Sequence, residues 1–459
     1  MTEKRTVDMT IGSPAKHILG FMLPTLVGYL FQQLYSMADT VIIGRYLGED
    51  SLAAVGSTGC MCFMIIGFCM GLCSGFSIPI AQKFGAKDFT SMRKFVANSI
   101  WSCIAFAIVI ATIFYLMCMN ILEALKTPSN IIGEAYTYLS ILFIGIPVTM
   151  MYNMASSIMR SLGDSRTPVY FLLLSSVINI ILDIIMVGPM GIAGPAWATV
   201  IAQLVSGLLC IVYMRRKYEI LRLSKLDMKF EPAYVGKLVY VGIPMGLQYS
   251  ITAIGSVLLQ SAVNVLGSTY VAASATAIKV SLFFCCPFDA LGSTAATYGG
   301  QNMGAGKLDR IGNGLKWCIM IGFIYSAVAY FVLGILSKNF VVLFLEEPSA
   351  LLIENTVMYL KFNSMFYFLL ALVNIVRFMI QGMGYSMIAI VAGVFEMVAR
   401  GIAGQVLVPN FGYIAACLAS PLAWFMADIF LIVVYKLIMR RLKGKQRFIH
   451  SQISTVHVM

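Results

Sequence analysis

Two aspartates, Asp39 and Asp183, stand inside stretches that are otherwise almost wholly apolar. A carboxylate at the centre of a membrane costs at least about 2.5 to 3.5 kcal/mol, so its presence there asks for a function. Their neighbours are spaced to join them. Gln32, Tyr35 and Asp39 are three and four residues apart and share one face of a helix. Asn179 and Asp183 repeat the four-residue spacing, as do Thr199 and Gln203, and Asn153 is a further member. Three polar stripes in one half of the chain imply a shared, water-reachable pocket. Carboxylates, amides and a hydroxyl are hard oxygen ligands that suit a sodium ion, which Asp39, Asn179 and Asp183 would hold. The same carboxylates, desolvated side by side, can instead load and release a proton. A neutral, purely structural hydrogen-bonded cluster is the third reading, and the sequence leaves all three open.

The other half carries Lys279, Asp289, Arg377, Glu396, Arg400 and Asp428 in apolar runs, yet does not repeat the set. Positions matching Asp39 and Asp183 fall near Leu259 and Gly404, and Asn179 falls near Arg400. Glu396 and Arg400, four apart, fit a structural ion pair at least as well as a transport role. Lys279 and Asp289 lie ten residues apart, about 280° around a helix, and need not touch. Asp428, placed near a helix end, is expected to be hydrated and structural. Gln32, Asn153, Gln203, Gln248, Asp289 and Arg400 are the candidates for lining a substrate cavity. Eleven cysteines sit mostly in apolar runs as packing residues, with a soft-metal pair at Cys60 and Cys62 as the lesser alternative. The histidines, His17, His450 and His457, are confined to the terminal segments. No serine or cysteine has an evident base beside it, so no enzymatic activity and no cofactor beyond a transported ion are expected.

These residues must be positioned by membrane helices. Of 459 residues, 59% are hydrophobic and 11% charged, with a mean hydropathy of +0.87, against about 25% charged in an ordinary globular chain. That excludes a cytosolic enzyme or a nucleic-acid-binding protein and leaves no room for a soluble domain. Apolar runs predict twelve spans near 18–43, 52–82, 95–119, 133–160, 168–188, 195–214, 236–265, 270–299, 312–336, 355–381, 387–408 and 412–438. The first is too long for a cleavable signal and is expected to remain. Most of the 32 basic residues fall on one side: the first terminus, the loops holding Lys83 to Lys94, Arg160 to Arg166, Arg215 to Lys237 and Lys307 to Lys316, and the tail from Lys436. Only Arg45, Lys126 and Lys338 fall on the other, so both termini are expected in the cytoplasm, and the +12 charge is a topology signal.

Sliding the second half against the first by about 220 residues aligns Pro24 with Pro244, Leu47-Gly48 with Leu266-Gly267, Gln82 and Gly85-Ala86 with Gln301 and Gly304-Ala305, Gly163 with Gly384, and Pro189 with Pro409. Six spans intervene, so the copies share orientation. Two six-helix lobes are expected: 1–225, with the start of the central loop, and 226–459, with a basic tail. Such parallel repeats serve transporters in which access alternates around a site between lobes. Pro24 and Pro244 can kink the first helix of each lobe. Gly67, Gly71 and Gly75 form a ladder for close helix packing.

The chain resembles the multidrug and toxic compound extrusion (MATE) family, most similar to its prokaryotic DinF-like branch. The resemblance rests on Met37-Ala38-Asp39-Thr40-Val41-Ile42-Ile43-Gly44 with Leu47-Gly48, on Arg160-Ser161-Leu162-Gly163-Asp164-Ser165-Arg166-Thr167-Pro168, on Asn179-Ile180-Ile181-Leu182-Asp183, and on Gln301-Asn302-Met303-Gly304-Ala305-Gly306. It implies an all-α polytopic protein of twelve helices in two pseudo-symmetric lobes, exporting lipophilic and cationic compounds by antiport with H+ or Na+. Asp39, Asn179 and Asp183 match the family's cation-coupling residues, with Tyr35 and Thr199 in the same network. An acidic residue that another branch carries on the seventh helix is absent, and that span offers Gln248 and Gln260. Small drugs and organic cations are the expected partners, beside membrane lipids, for a monomer in the bacterial cytoplasmic membrane. A flippase of lipid-linked cargo on the same architecture is the alternative, with Lys279, Arg377 and Arg400 as its only cations for a phosphate head group.

Overall fold

The computed structural model describes residues 6–125, 127–344 and 349–456, so Lys4, Arg5, Lys126 and His457 lie outside the described residues, as does the side chain of His450. The described residues form helices and turns without a strand. The first repeat holds α1 (Pro14–Leu47), α2 (Glu49–Gly85), α3 (Phe89–Ala124), α4 (Ile132–Ile144), α5 (Ile146–Ser161), α6 (Arg166–Met190) and α7 (Ala193–Lys217). The second holds α8 (Pro232–Leu266), α9 (Ser268–Gly304), α10 (Leu308–Phe344), α11 (Ala350–Met365), α12 (Tyr367–Gly382), α13 (Ser386–Ile402), a π-turn (Ala403–Leu407), the short α14 (Val408–Phe411) and α15 (Tyr413–Val456).

Ten helical segments are long and apolar enough to span a membrane, and twelve result when the bent pairs α4/α5 and α11/α12 each count as one. These are the twelve spans the apolar runs predict. The bends, 47° at Gly145 and 51° at Phe366, fall about one repeat apart. The outer surface is apolar: Leu116 is 72% exposed, Ile335 75% and Val265 86%, a dress suited to lipid and not to water.

The repeat is also written in the backbone. Left-handed glycines pair at the repeat spacing: Gly48 with Gly267, Gly163 with Gly384, and Gly191 with Gly412. A fourth pair breaks the rule, because Gly306 (φ 67°) is matched by Lys87 (φ 59°), the one non-glycine with positive φ among the described residues. At Gly163 (φ 82°) a Cβ would lie 2.3 Å from the Val7 carbonyl oxygen, whose own amide donates to Leu162 O at 3.0 Å. Gly163→Ala is therefore expected to lose about 2 kcal/mol or more, from left-handed strain plus the clash. Lys87→Gly, which removes that strain, is expected to be neutral or to stabilise by up to about 1 kcal/mol. Thermal unfolding in detergent, with Gly163→Ala melting no lower than Lys87→Gly, would refute this.

Packing divides the chain within α8: one unit comprises the residues up to Asp8 with Leu19–Val257, the other Met9–Ile18 with Leu258–Met459. This division differs from the sequence-repeat boundary at 225/226, and the reason is visible in the first unit. A Cβ at Gly71 would sit 2.4 Å from Met245 O, and one at Gly75 2.5 Å from the Gly242 Cα, so the first half of α8 lies backbone to backbone on α2.

The segments that precede the two repeats are held in matching ways. In the second unit, the Met9 amide donates to Gln301 Oε1 (2.9 Å). Arg310 donates to the carbonyls of Met9 (3.0 Å), Ile11 (3.3 Å) and Gly12 (2.9 Å), and Lys307 to Thr10 O (2.8 Å). In the first unit, the Trp101 indole donates to Met228 O (3.0 Å), and Asn98 donates to Lys229 O (3.3 Å) while accepting the Glu231 amide (2.9 Å). Ion pairs Arg93–Asp227 (3.3 Å) and Lys94–Glu231 (2.9 Å) flank it. Nearby, Asp88 caps α3 by accepting the Ser91 amide, and Lys83 beside it holds its carboxyl down to about 2.

Candidate functional site

The RSLGDSRTP stretch shows why the first lobe closes where it does. Asp164, 5% exposed, accepts the Arg166 and Thr167 amides on Oδ1 (3.0 Å each), and the Thr167 (2.6 Å) and Tyr218 (2.5 Å) hydroxyls on Oδ2. It starts α6 and ties the end of α7 to it. With α5, α6 and α7 so fixed, and α1 laid on α6 by the contact of Gly28 with Val169, the polar stripes of four helices face one another.

They surround a cavity of ≈ 280 Å³ within the first unit. Gln32, Tyr35 and Asp39 of α1, Asn153 of α5, Asn179 of α6, and Thr199 and Gln203 of α7 all line it. Asp183 lies just behind, wholly buried, where Asn179 Nδ2 reaches both Asp183 Oδ1 (3.4 Å) and Thr199 Oγ1 (3.3 Å). The Asp39 and Asp183 carboxyls are electrostatic neighbours, and Tyr35 is a neighbour of Asp39 on α1. Three buried oxygens are left without a partner: Asp39 Oδ1, Asn179 Oδ1 and Asp183 Oδ2. An unpartnered buried oxygen is costly, and three from facing side chains make a cluster that a small cation or a proton would satisfy. The donors are all oxygens of the kind a sodium ion takes. Among the described residues no group of three histidine, cysteine, aspartate or glutamate side chains gathers as a metal centre.

Other cavity residues escaped the sequence reading. Tyr138 comes from α4, Thr149, Tyr152 and Arg160 from α5, Ser175 and Ser176 from α6, and Tyr249 from α8. Thr149 donates to Gln203 Oε1 (2.5 Å) and Asn153 Nδ2 to Thr149 O (2.8 Å), so α5 and α7 share a polar seam. The available signal was the spacing of Thr149, Asn153 and Arg160, four and seven residues apart on one helical face.

Gln248, by contrast, is buried and does not line this cavity, where its neighbour Tyr249 does. In the second unit, Arg400 is engaged in the protein interior. Its side chain is 9% exposed and lies 3.6 Å from Glu396, whose other carboxyl oxygen is hydrogen-bonded by Arg377. Asp428 corrects an expectation, since it is 3% exposed in the interior of α15 with neither oxygen hydrogen-bonded, not hydrated at a helix end. Asp289 is exposed and held by Asn374 Nδ2 (3.2 Å) of α12.

A polytopic helical body of two repeats, with a buried polar cluster opening onto a cavity inside one of them, has the build of a membrane transporter. The chain belongs to the MATE family: the MatE family model matches it twice, at residues 24–185 and 244–405, one copy in each repeat. The family is one of transporters, so no enzymatic activity is assigned. Among relatives, the "Probable multidrug resistance protein YoeA" of Bacillus subtilis is 29% identical over 344 residues, covering 73% of this chain and 74% of that one. The "FAD transporter" of Shewanella oneidensis is 24% identical over 347 residues, covering 73% and 75%. The outward-facing conformation of a multidrug resistance MATE family transporter of the MOP superfamily shares the fold with a TM-score of 0.90 at 21% identity, over 97% of this chain and 100% of that one.

Proposed function

We propose that the protein exports lipophilic, commonly cationic small molecules by antiport with H+ or Na+, and that Asp39, Asn179 and Asp183, assisted by Tyr35 and Thr199, carry the coupling ion. The observation that carries this reading is the trio of unpartnered oxygens where the cavity meets the buried aspartate. A charge arriving there changes the energy of a group that the membrane interior penalises, which is what couples an ion gradient to a change of access. Gln32, Asn153 and Gln203 then offer amides to the cargo, and Tyr138, Tyr152 and Tyr249 aromatic faces. The distribution of lysine and arginine supports both termini in the cytoplasm, and the proposed setting is a monomer among the lipids of a bacterial cytoplasmic membrane. Relatives named for multidrug resistance weigh against the lipid-flippase alternative, and two of its three cations, Arg377 and Arg400, are taken up by Glu396.

The test is purified protein in liposomes carrying ethidium, with a pH gradient and a sodium gradient imposed separately. One of the two is expected to move dye against its own gradient. Movement under neither would end the antiport reading.

A further inference from the structure

Only two formally charged side chains line the first-unit cavity, and they are of opposite sign: Asp39 and Arg160. Arg160 is half-buried in the last turn of α5. Its guanidinium has five N–H donors, and one finds a protein acceptor, the Nη2 bond to Ser157 Oγ at 3.0 Å. No carboxylate lies within ion-pair distance of it among the described residues. The nearest acid in sequence, Asp164, is fully occupied by Arg166, Thr167 and Tyr218. The titratable groups within its electrostatic reach are neutral, Cys73 of α2, Tyr152 of its own helix and Cys210 of α7, and none of them offers it a counter-charge. A partly buried guanidinium facing a polar cavity with unused donors is an anion receptor in waiting.

Its position sets the shape of the ligand. Arg160, Ser165 and Pro168 line the cavity around the start of α6, and Asn179 lines it eleven residues further along the same helix. From Pro168 to Asn179 is about 16 Å along α6, and from Asn153 to Arg160 about 10 Å along α5. Between the ends, Tyr152, Met70 and Leu172 make the walls apolar and aromatic. We propose that this cavity selects amphipathic zwitterions, whose cationic group points to Asp39 and whose carboxylate, sulfonate or phosphate is held by Arg160, the two charges roughly 10 to 16 Å apart. This deepens the export reading and rests on it, because it names the class of cargo that the same cavity prefers.

A matched pair of dyes isolates the claim: rhodamine B, a zwitterion, and its methyl ester, which keeps the cation and loses the carboxylate. Affinity for each is read by fluorescence anisotropy on the purified protein in lipid nanodiscs, with empty nanodiscs subtracted. The preference for rhodamine B over the ester is expected to fall at least tenfold in Arg160→Gln and to be partly restored in Arg160→Lys, which keeps the charge and the fold of the side chain's stem. An unchanged preference in Arg160→Gln overturns the proposal, as does a parallel loss of both dyes in Arg160→Gln and Arg160→Lys, which would mark a structural role. If the wild type binds the ester and not rhodamine B, the proposal fails while the export reading survives. If it binds neither, both fail.

Discussion

Asp183→Asn and Asp39→Asn are each expected to reduce ion-driven dye movement in liposomes to the level of protein-free vesicles, with yield and size-exclusion profile unchanged. Asparagine keeps the volume and the hydrogen-bonding edge of aspartate but cannot take up a proton or attract a cation. An ion shifts a conformational equilibrium only by its difference in affinity for the two states. Moving a population from 1:99 to 99:1 needs about 5.5 kcal/mol. Relieving a membrane carboxylate of its charge returns at least about 2.5 to 3.5 kcal/mol, so the two aspartates together come close to that figure even at the lowest value. The geometry agrees, since Asp39 and Asp183 contribute one unpartnered oxygen each to a single cluster. Binding of dye without a gradient is expected to persist in Asp183→Asn and to weaken in Asp39→Asn, whose carboxylate lines the cavity and faces the cargo's cation. Wild-type transport rates in both would remove the cluster from the coupling mechanism.

The second large effect concerns stability. Glu396→Ala leaves Arg377 and Arg400, with side chains 4% and 9% exposed, as buried cations that have lost their shared carboxylate. Breaking a buried pair in this way costs about 3 to 5 kcal/mol, which for a unit of this size corresponds to a fall in Tm of about 6 to 20 °C. Glu396→Gln, which keeps hydrogen-bond acceptors, is expected to fall between. Replacing all three residues by leucine or methionine of matching volume should recover most of the loss, because desolvation offsets much of what the triad contributes. An unchanged melting curve in Glu396→Ala would show that water reaches the triad.

Much of the first-lobe site was legible because helical periodicity is a one-dimensional signal. Gln32, Tyr35 and Asp39, or Asn179 and Asp183, face together on any straight helix, and α1 and α6 present them as the spacing implies. Arg160 was not legible in the same way. It shares a helical face with Thr149 and Asn153, but its place after the fourth apolar run reads as one more cytoplasmic charge, where the structure sets it in the last turn of α5 on the cavity wall. Asp428 failed for the converse reason. Its apolar run ends soon after it, but α15 continues through the basic stretch to Val456, so the residue is interior and not terminal. Charge density marks where a membrane ends, and says nothing about where a helix does.

The segments that enter each repeat, residues 9–12 and 228–231, carry a consequence beyond local packing. Each is bonded by side chains of the opposite repeat: the first by Gln301, Lys307 and Arg310, the second by Asn98 and Trp101. The halves have thus exchanged arms. Two separate copies of a single repeat making the same exchange would be a domain-swapped dimer, and the covalent link across residues 215–234 turns that dimer into one chain. A cut in that link ahead of Met228 would leave two fragments, each holding the piece that completes the other.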